Sequence, residues 1–170
     1  PSSLDNGLLD SSLSQKPTLL KNAVKNLCNR LHKQGFDLIV IDCPPSLGAA
    51  VVSTICASNN ITIPVAGDPD SIHGLRLCIN EIEQISNTFG IKEPTYKILF
   101  SKYDGREQLS FKTLSALAQD KSLKGKLLPG FIRTSSAIPK SSHNRTPIFK
   151  EHRKSIVSIF ISFWLVLCTD

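Results

Sequence analysis

The chain has 170 residues, 41% hydrophobic and 20% charged, a composition that excludes an intrinsically disordered segment and suits one domain. It has no run of 18 apolar residues to cross a membrane as a helix, and its five cysteines (28, 43, 56, 78 and 168) form no CxxC pair and no zinc-site spacing. The net charge of +6 is uneven: residues 1–100 carry 8 Lys and Arg against 9 Asp and Glu, a net of −1, and residues 101–170 carry 12 against 5, a net of +7.

Residues 1–15 are polar and read as a loop. A helix capped by Thr18 follows to about Gln34, with Leu19, Leu20, Ala23, Val24, Leu27 and Leu31 on one face, and Gly35 stops it. Leu38-Ile39-Val40-Ile41 is a continuous apolar run, which predicts a strand covered on both faces as in a parallel sheet. The alternation then repeats: helix Leu47–Ala57, strand Ile61–Val65, helix Ser71–Asn87, strand Tyr96–Phe100, helix Leu109–Ala118 and a short strand Lys126–Leu128. A final helix is expected within 151–168, where the apolar stretch Ile156–Cys168 reads as a buried helix, with membrane contact as the other reading.

Strands alternating with helices predict an α/β fold, a mostly parallel sheet with right-handed crossovers and helices on both faces. Ligands in such sheets bind beyond the carboxyl ends of the strands. That rule directs attention to Asp42–Gly48, Ala66–Ser71, Ser101–Arg106 and Pro129–Thr134.

The most informative segment is Phe36-Asp37-Leu38-Ile39-Val40-Ile41-Asp42-Cys43-Pro44-Pro45-Ser46-Leu47-Gly48. A carboxylate closing an apolar strand is costly to desolvate unless it meets a cation or donors. Asp42 is therefore a candidate Mg²⁺-supporting residue, and its plainer reading is a cap for the next helix. Pro44 and Pro45 stiffen the exit from the strand. The DCPPSLG string closely resembles the Walker B and switch region of ParA/MinD-type ATPases. The resemblance implies that Asp42 supports Mg²⁺ through water and that the Pro44-Pro45 loop follows the state of the ATP γ-phosphate.

The resemblance extends over about 150 residues. Ser58–Val65 resembles the next family strand, with Asn59 or Asn60 in place of an Asp, and Asp68–Leu75 resembles the loop into the long helix. Ile98–Arg106 resembles the strand and loop near the purine, which makes Ser101 and Lys102 candidate nucleotide contacts. Phe131–Lys140 resembles a late segment of plasmid-type relatives. The implied fold is the deviant P-loop NTPase type in a single domain, 1–170, with a divergent tail from 150.

ATP also needs a glycine-rich loop whose N–H groups cradle the phosphates. The one Gly-Lys pair, Gly125-Lys126, is followed by Leu127 and preceded by Asp120 where the first glycine belongs, so no GxxxxGK[ST] loop is present in these 170 residues. Together with Pro1 at the start and the lack of methionine, this leads us to expect a fragment whose first strands are missing. Alone it is expected to bind ATP weakly or not at all, and to expose a sheet edge.

For the parent protein the resemblance implies a Mg-ATP-dependent partition ATPase for plasmids or chromosomes. It would be cytoplasmic, associated with the nucleoid, and homodimeric around ATP. Its partners would be non-specific DNA and a centromere-binding ParB-like protein. Arg106 aligns with a family arginine implicated in DNA contact, its plainer reading being a loop arginine paired with Asp104 or Glu107. Arg133, Lys140 and Arg145 are further phosphate-contact candidates. The rival readings are a MinD-like membrane-positioning ATPase, which the apolar tail without a polar face disfavours, and a non-catalytic relic that binds DNA or a partner.

Overall fold

The computed structural model describes residues 17–44, 46–147 and 164–168, the last five by their backbone. Among them the order is α1 (Pro17–Lys33), β1 (Ile39–Cys43), α2 (Ala49–Ala57), β2 (Asn60–Val65), α3 (Pro69–Phe89), β3 (Thr95–Tyr103), α4 (Gln108–Gln119), β4 (Leu127–Arg133), α5 (Ala137–His143) and β5 (Trp164–Cys168). The strands form one sheet in the order β1-β5-β2-β3-β4. β2, β3 and β4 make a parallel set flanked by helices, so the fold is α/β as expected.

The chain divides into two compact units. One comprises 1–63, 76–97 and 163–170, and the other 64–75 and 98–162. In the first unit α1 begins one residue before Thr18, which therefore lies inside the helix. Its end follows the sequence: Gly35 has φ +92°, its N–H donates to the His32 carbonyl (2.8 Å), and the Phe36 N–H donates to Leu31 (3.2 Å). This pair of bonds closes a helix on a left-handed glycine. α1 packs on α2 through a narrower stripe than the sequence suggested. Cys28 is buried, Leu20, Val24 and Leu31 are half-buried, and Leu19, Ala23 and Leu27 face solvent. Cys28 takes the central place because a thiol packs as a small apolar group.

β1 is the outermost strand of the sheet, and Leu38 and Val40 are exposed beside and within it. The expectation of a strand covered on both faces is corrected there: Ile39, Ile41 and Cys43 are half-buried or buried while Val40 and Asp42 are exposed, so among the described residues only one face of β1 is covered. The core of this unit is Val51, Ile55, Ile61, Ile82 and Ile85. Ser53 and Ser86 sit in it because each hydroxyl donates to the carbonyl four residues earlier, Ala49 and Ile82, both at 2.7 Å.

The expected final helix is also corrected. Residues 164–168 form strand β5, antiparallel to both β1 and β2, and 151–163 lie outside the described residues. The free edge expected beside these strands is partly closed, because β5 occupies the position between them, and among the described residues no strand pairs with the far side of β1. In the second unit Phe100, Ile98, Val65, Leu75 and Ile132 are buried. β4 is longer than expected and runs through Pro129 and Gly130. α5 was not anticipated.

Candidate functional site at the strand ends

In the first unit, β1 delivers Asp42 and Cys43 to the start of the Pro44 loop. Asp42 is exposed, and its carboxylate makes no hydrogen bond or ion pair among the described residues. It does not cap α2, whose N-cap position is Gly48. The plainer reading of Asp42 is therefore set aside, and an uncommitted carboxylate remains at a strand end. Its donor chemistry fits Mg²⁺, a hard cation that takes one or two carboxylates along with phosphate and water. No group of three or more His, Cys, Asp or Glu able to hold a metal unaided occurs among the described residues. Asp42 would thus be one contributor and not a complete site.

Cys43 is 2% exposed, and burial pushes its thiol pKa up, opposed in part by a hydrogen bond with Thr54. Pro44 is exposed, whereas Pro45 falls outside the described residues. Beyond the loop, Leu47, Ala49 and Val52 line an apolar hollow of about 360 Å³ against the C-terminal half of α3. Its single charged lining residue is Glu81, which repels anions, so the hollow is no place for a nucleotide phosphate.

In the second unit the loop after β2 approaches α4 closely. A Cβ on Gly67 would stand 3.1 Å from the Ser110 Cα, and the Thr113 hydroxyl donates to the Gly67 carbonyl at 3.2 Å. Asp68 then caps α3, accepting from the Ser71 N–H (2.8 Å) and the Ser71 hydroxyl (2.7 Å). Those bonds, with a smaller contribution from Lys102, lower its pKa. The Asp-x-x-Ser spacing is a helix-start signal legible in the sequence.

At the end of β3, Ser101 is buried and its hydroxyl donates to the Val65 carbonyl at 3.2 Å. Lys102 is exposed with φ +55°, a left-handed conformation uncommon for a residue with a side chain. It is held there from β4: the Thr134 hydroxyl donates to the Lys102 carbonyl (3.0 Å) and the Thr134 N–H to the Tyr103 carbonyl (2.9 Å). Tyr103 packs on Phe131 with ring centroids 4.4 Å apart, and the Arg133 guanidinium lies 5.8 Å over the Phe131 ring. This aromatic pair had no signal in the sequence, because its partners lie 28 residues apart on adjacent strands.

Arg106 is paired with Asp104 through Nε (2.9 Å) and Nη2 (2.6 Å), and its N–H also donates to the same carboxylate at 3.0 Å. The Arg106 side chain is 88% exposed, and its hydrogen bonds hold the Asp104 pKa down at about 2. Lys140 sits in the last turn of α5, and Arg145 follows it with φ +51°. Both are exposed. The fold thus brings Arg133 opposite Tyr103 in register, with Lys102 and Arg106 in the adjoining loop, and carries Lys140 and Arg145 on a separate element.

Residues 2–98 match the protein family described as an AAA domain, more than half of the chain. The chain belongs to the ParA/MinD-type P-loop ATPase family. It is 24% identical to the sporulation initiation inhibitor protein Soj of Bacillus subtilis over 91% of this chain and 60% of that protein. It is 26% identical to the cell division protein PomZ of Myxococcus xanthus over 88% of this chain and 46% of that one. With the chromosome-partitioning ATPase Soj of Thermus thermophilus the identity is 26% over 58% and 36%. The chain spans about half the length of the curated relatives that it matches over most of its own length. Family membership also agrees with the α/β order and with a strand ending in the DCPPSLG loop. Among the described residues no helix is long and apolar enough to cross a membrane.

Proposed function

We propose that this chain is part of a Mg-ATP-dependent ATPase that partitions or positions DNA or another large cargo. The observation that carries the proposal is the exposed, uncommitted Asp42 carboxylate at the end of β1, opening the family's switch loop. Asp42 would hold Mg²⁺ through water, and the ion would supply charge stabilisation to phosphoryl transfer. Pro44 and Pro45 would stiffen the loop so that it moves as one piece. Ser101 and Lys102 would border the nucleotide base. Arg106, Arg133, Lys140 and Arg145 would contact DNA phosphates without reading sequence, in keeping with the +7 charge of residues 101–170.

The active form would be a homodimer associated with the nucleoid, and a ParB-like centromere-binding protein would stimulate turnover. The positioning variant of the same reading draws support from the similarity to PomZ. These 170 residues hold no glycine-rich phosphate cradle, so nucleotide binding by this segment alone is expected to be weak.

The test is Mg-ATP turnover by the complete reading frame that encodes this chain, with and without non-specific DNA. Turnover that depends on Asp42 supports the proposal. DNA binding without any turnover would replace it with the relic reading.

A further inference from the structure

The loop after β3 is closed twice around one residue. The Glu107 N–H donates to the Asp104 carbonyl at 3.1 Å, which makes residues 104–107 a turn, and the Arg106 N–H donates to Asp104 Oδ1 at 3.0 Å, an Asx-turn laid over it. The same carboxylate also grips the guanidinium: Nε donates to Oδ1 at 2.9 Å and Nη2 to Oδ2 at 2.6 Å. A pair of parallel bonds fixes the plane of a guanidinium as well as its position. Arg106 Nη1 has no partner among the described residues, and the Arg106 side chain is 88% exposed against 18% for Asp104. Glu107, the other acid of the loop, accepts instead from the Ser110 hydroxyl at 3.3 Å. The turn itself does not call for a carboxylate, because an asparagine amide forms an Asx-turn as well. Only the grip on the guanidinium uses the charged acid.

We propose that Asp104 is a positioning residue, holding Arg106 in the orientation in which Nη1 donates to a DNA phosphate oxygen. The proposal rests on the reading of Arg106 as a phosphate contact. A long side chain loses rotamer freedom when it contacts a partner, and one already held by two bonds has less to lose. Against this gain, an acid beside the contact repels phosphate. That repulsion is small here for two reasons. Both carboxylate oxygens are occupied by Arg106 donors and little of the side chain meets solvent. Salt at about 0.15 M also screens exposed charges beyond about 8 Å. Ordering therefore outweighs repulsion, and an acidic residue assists the binding of an anion.

The test measures binding of the complete reading frame to a random-sequence DNA duplex at about 0.15 M salt with Mg-ATP. It compares the unsubstituted protein, Asp104→Asn, Arg106→Ala and the double variant. Asp104→Asn keeps the Asx-turn and removes a negative charge, so charge alone predicts tighter binding. Positioning predicts the reverse, binding about threefold weaker, with the salt slope lowered toward that of Arg106→Ala. In the Arg106→Ala background the same substitution should tighten binding or leave it unchanged, since only repulsion is left to remove. This reversal of sign is the expected result. Binding by Asp104→Asn that is unchanged or tighter overturns the proposal, as does an equal weakening in both backgrounds, which marks an effect on the turn. Arg106→Ala with unchanged affinity and salt slope overturns the phosphate reading and the proposal with it. Weaker binding by Arg106→Ala without the reversal overturns the positioning alone.

Discussion

Asp42 at the carboxyl end of β1 and Asp104 just past β3 give the same signal in the sequence, an aspartate following an apolar strand. The structure uses them in opposite ways. The Asp104 carboxylate is taken up by Arg106 through two side-chain bonds and one backbone bond. The Asp42 carboxylate is exposed and takes up nothing among the described residues. Asp68, after β2, resembles Asp104, since it is spent on the start of α3. A strand-end carboxylate is therefore a functional candidate in proportion to what it leaves unsatisfied.

The sharpest way to break this contrast is Asp42→Asn. ATP turnover by the complete reading frame is expected to fall by about 100-fold or more. The midpoint of denaturant unfolding should scarcely move, because an exposed side chain that has no partner among the described residues contributes within about 0.5 kcal/mol. A large loss of stability together with activity would return Asp42 to a structural role.

Gly67→Ala probes the neighbouring loop, where backbone and not charge sets the constraint. The added Cβ meets the Ser110 backbone at 3.1 Å, so a cost of about 1–3 kcal/mol is expected in urea unfolding. Arg106→Ala should weaken DNA binding severalfold and reduce the slope of log affinity against log salt by about 1. An unchanged salt slope would mean that the Asp104 pair is all that Arg106 does.

The smallest effect is in pH. The Asp104 pKa is lowered from 3.8 to about 2, so its contribution to folding is present above pH 4 and is lost as pH falls toward 2. In Arg106→Ala a carboxyl NMR titration should find Asp104 back near its ordinary value.

The alternation of helices and strands was legible because apolar runs and periodic faces carry it, and Gly35 ended α1 as its position implied. Three features were not. β4 continues through Pro129 and Gly130, residues that read as breakers; β4 is an edge strand, where a missing N–H costs little. α5 contains Pro139, but at its third residue, where backbone N–H groups have no partner inside the helix. The tail read as a helix because an unbroken apolar run has no period to distinguish helix from strand. Of the candidate site, Asp42 and its loop were legible from the DCPPSLG string, whereas the Tyr103–Phe131–Arg133 stack depends on the β3–β4 register.

Cys43, wedged between Asp42 and Pro44, has a wider consequence. Its raised pKa keeps the reactive thiolate scarce, and Cys28 and Cys78 are buried with it. All five cysteines belong to the first unit and none to the second. The rate at which an alkylating reagent captures the buried thiols therefore times the opening of the first unit alone. The chain carries a stopwatch for one half of itself.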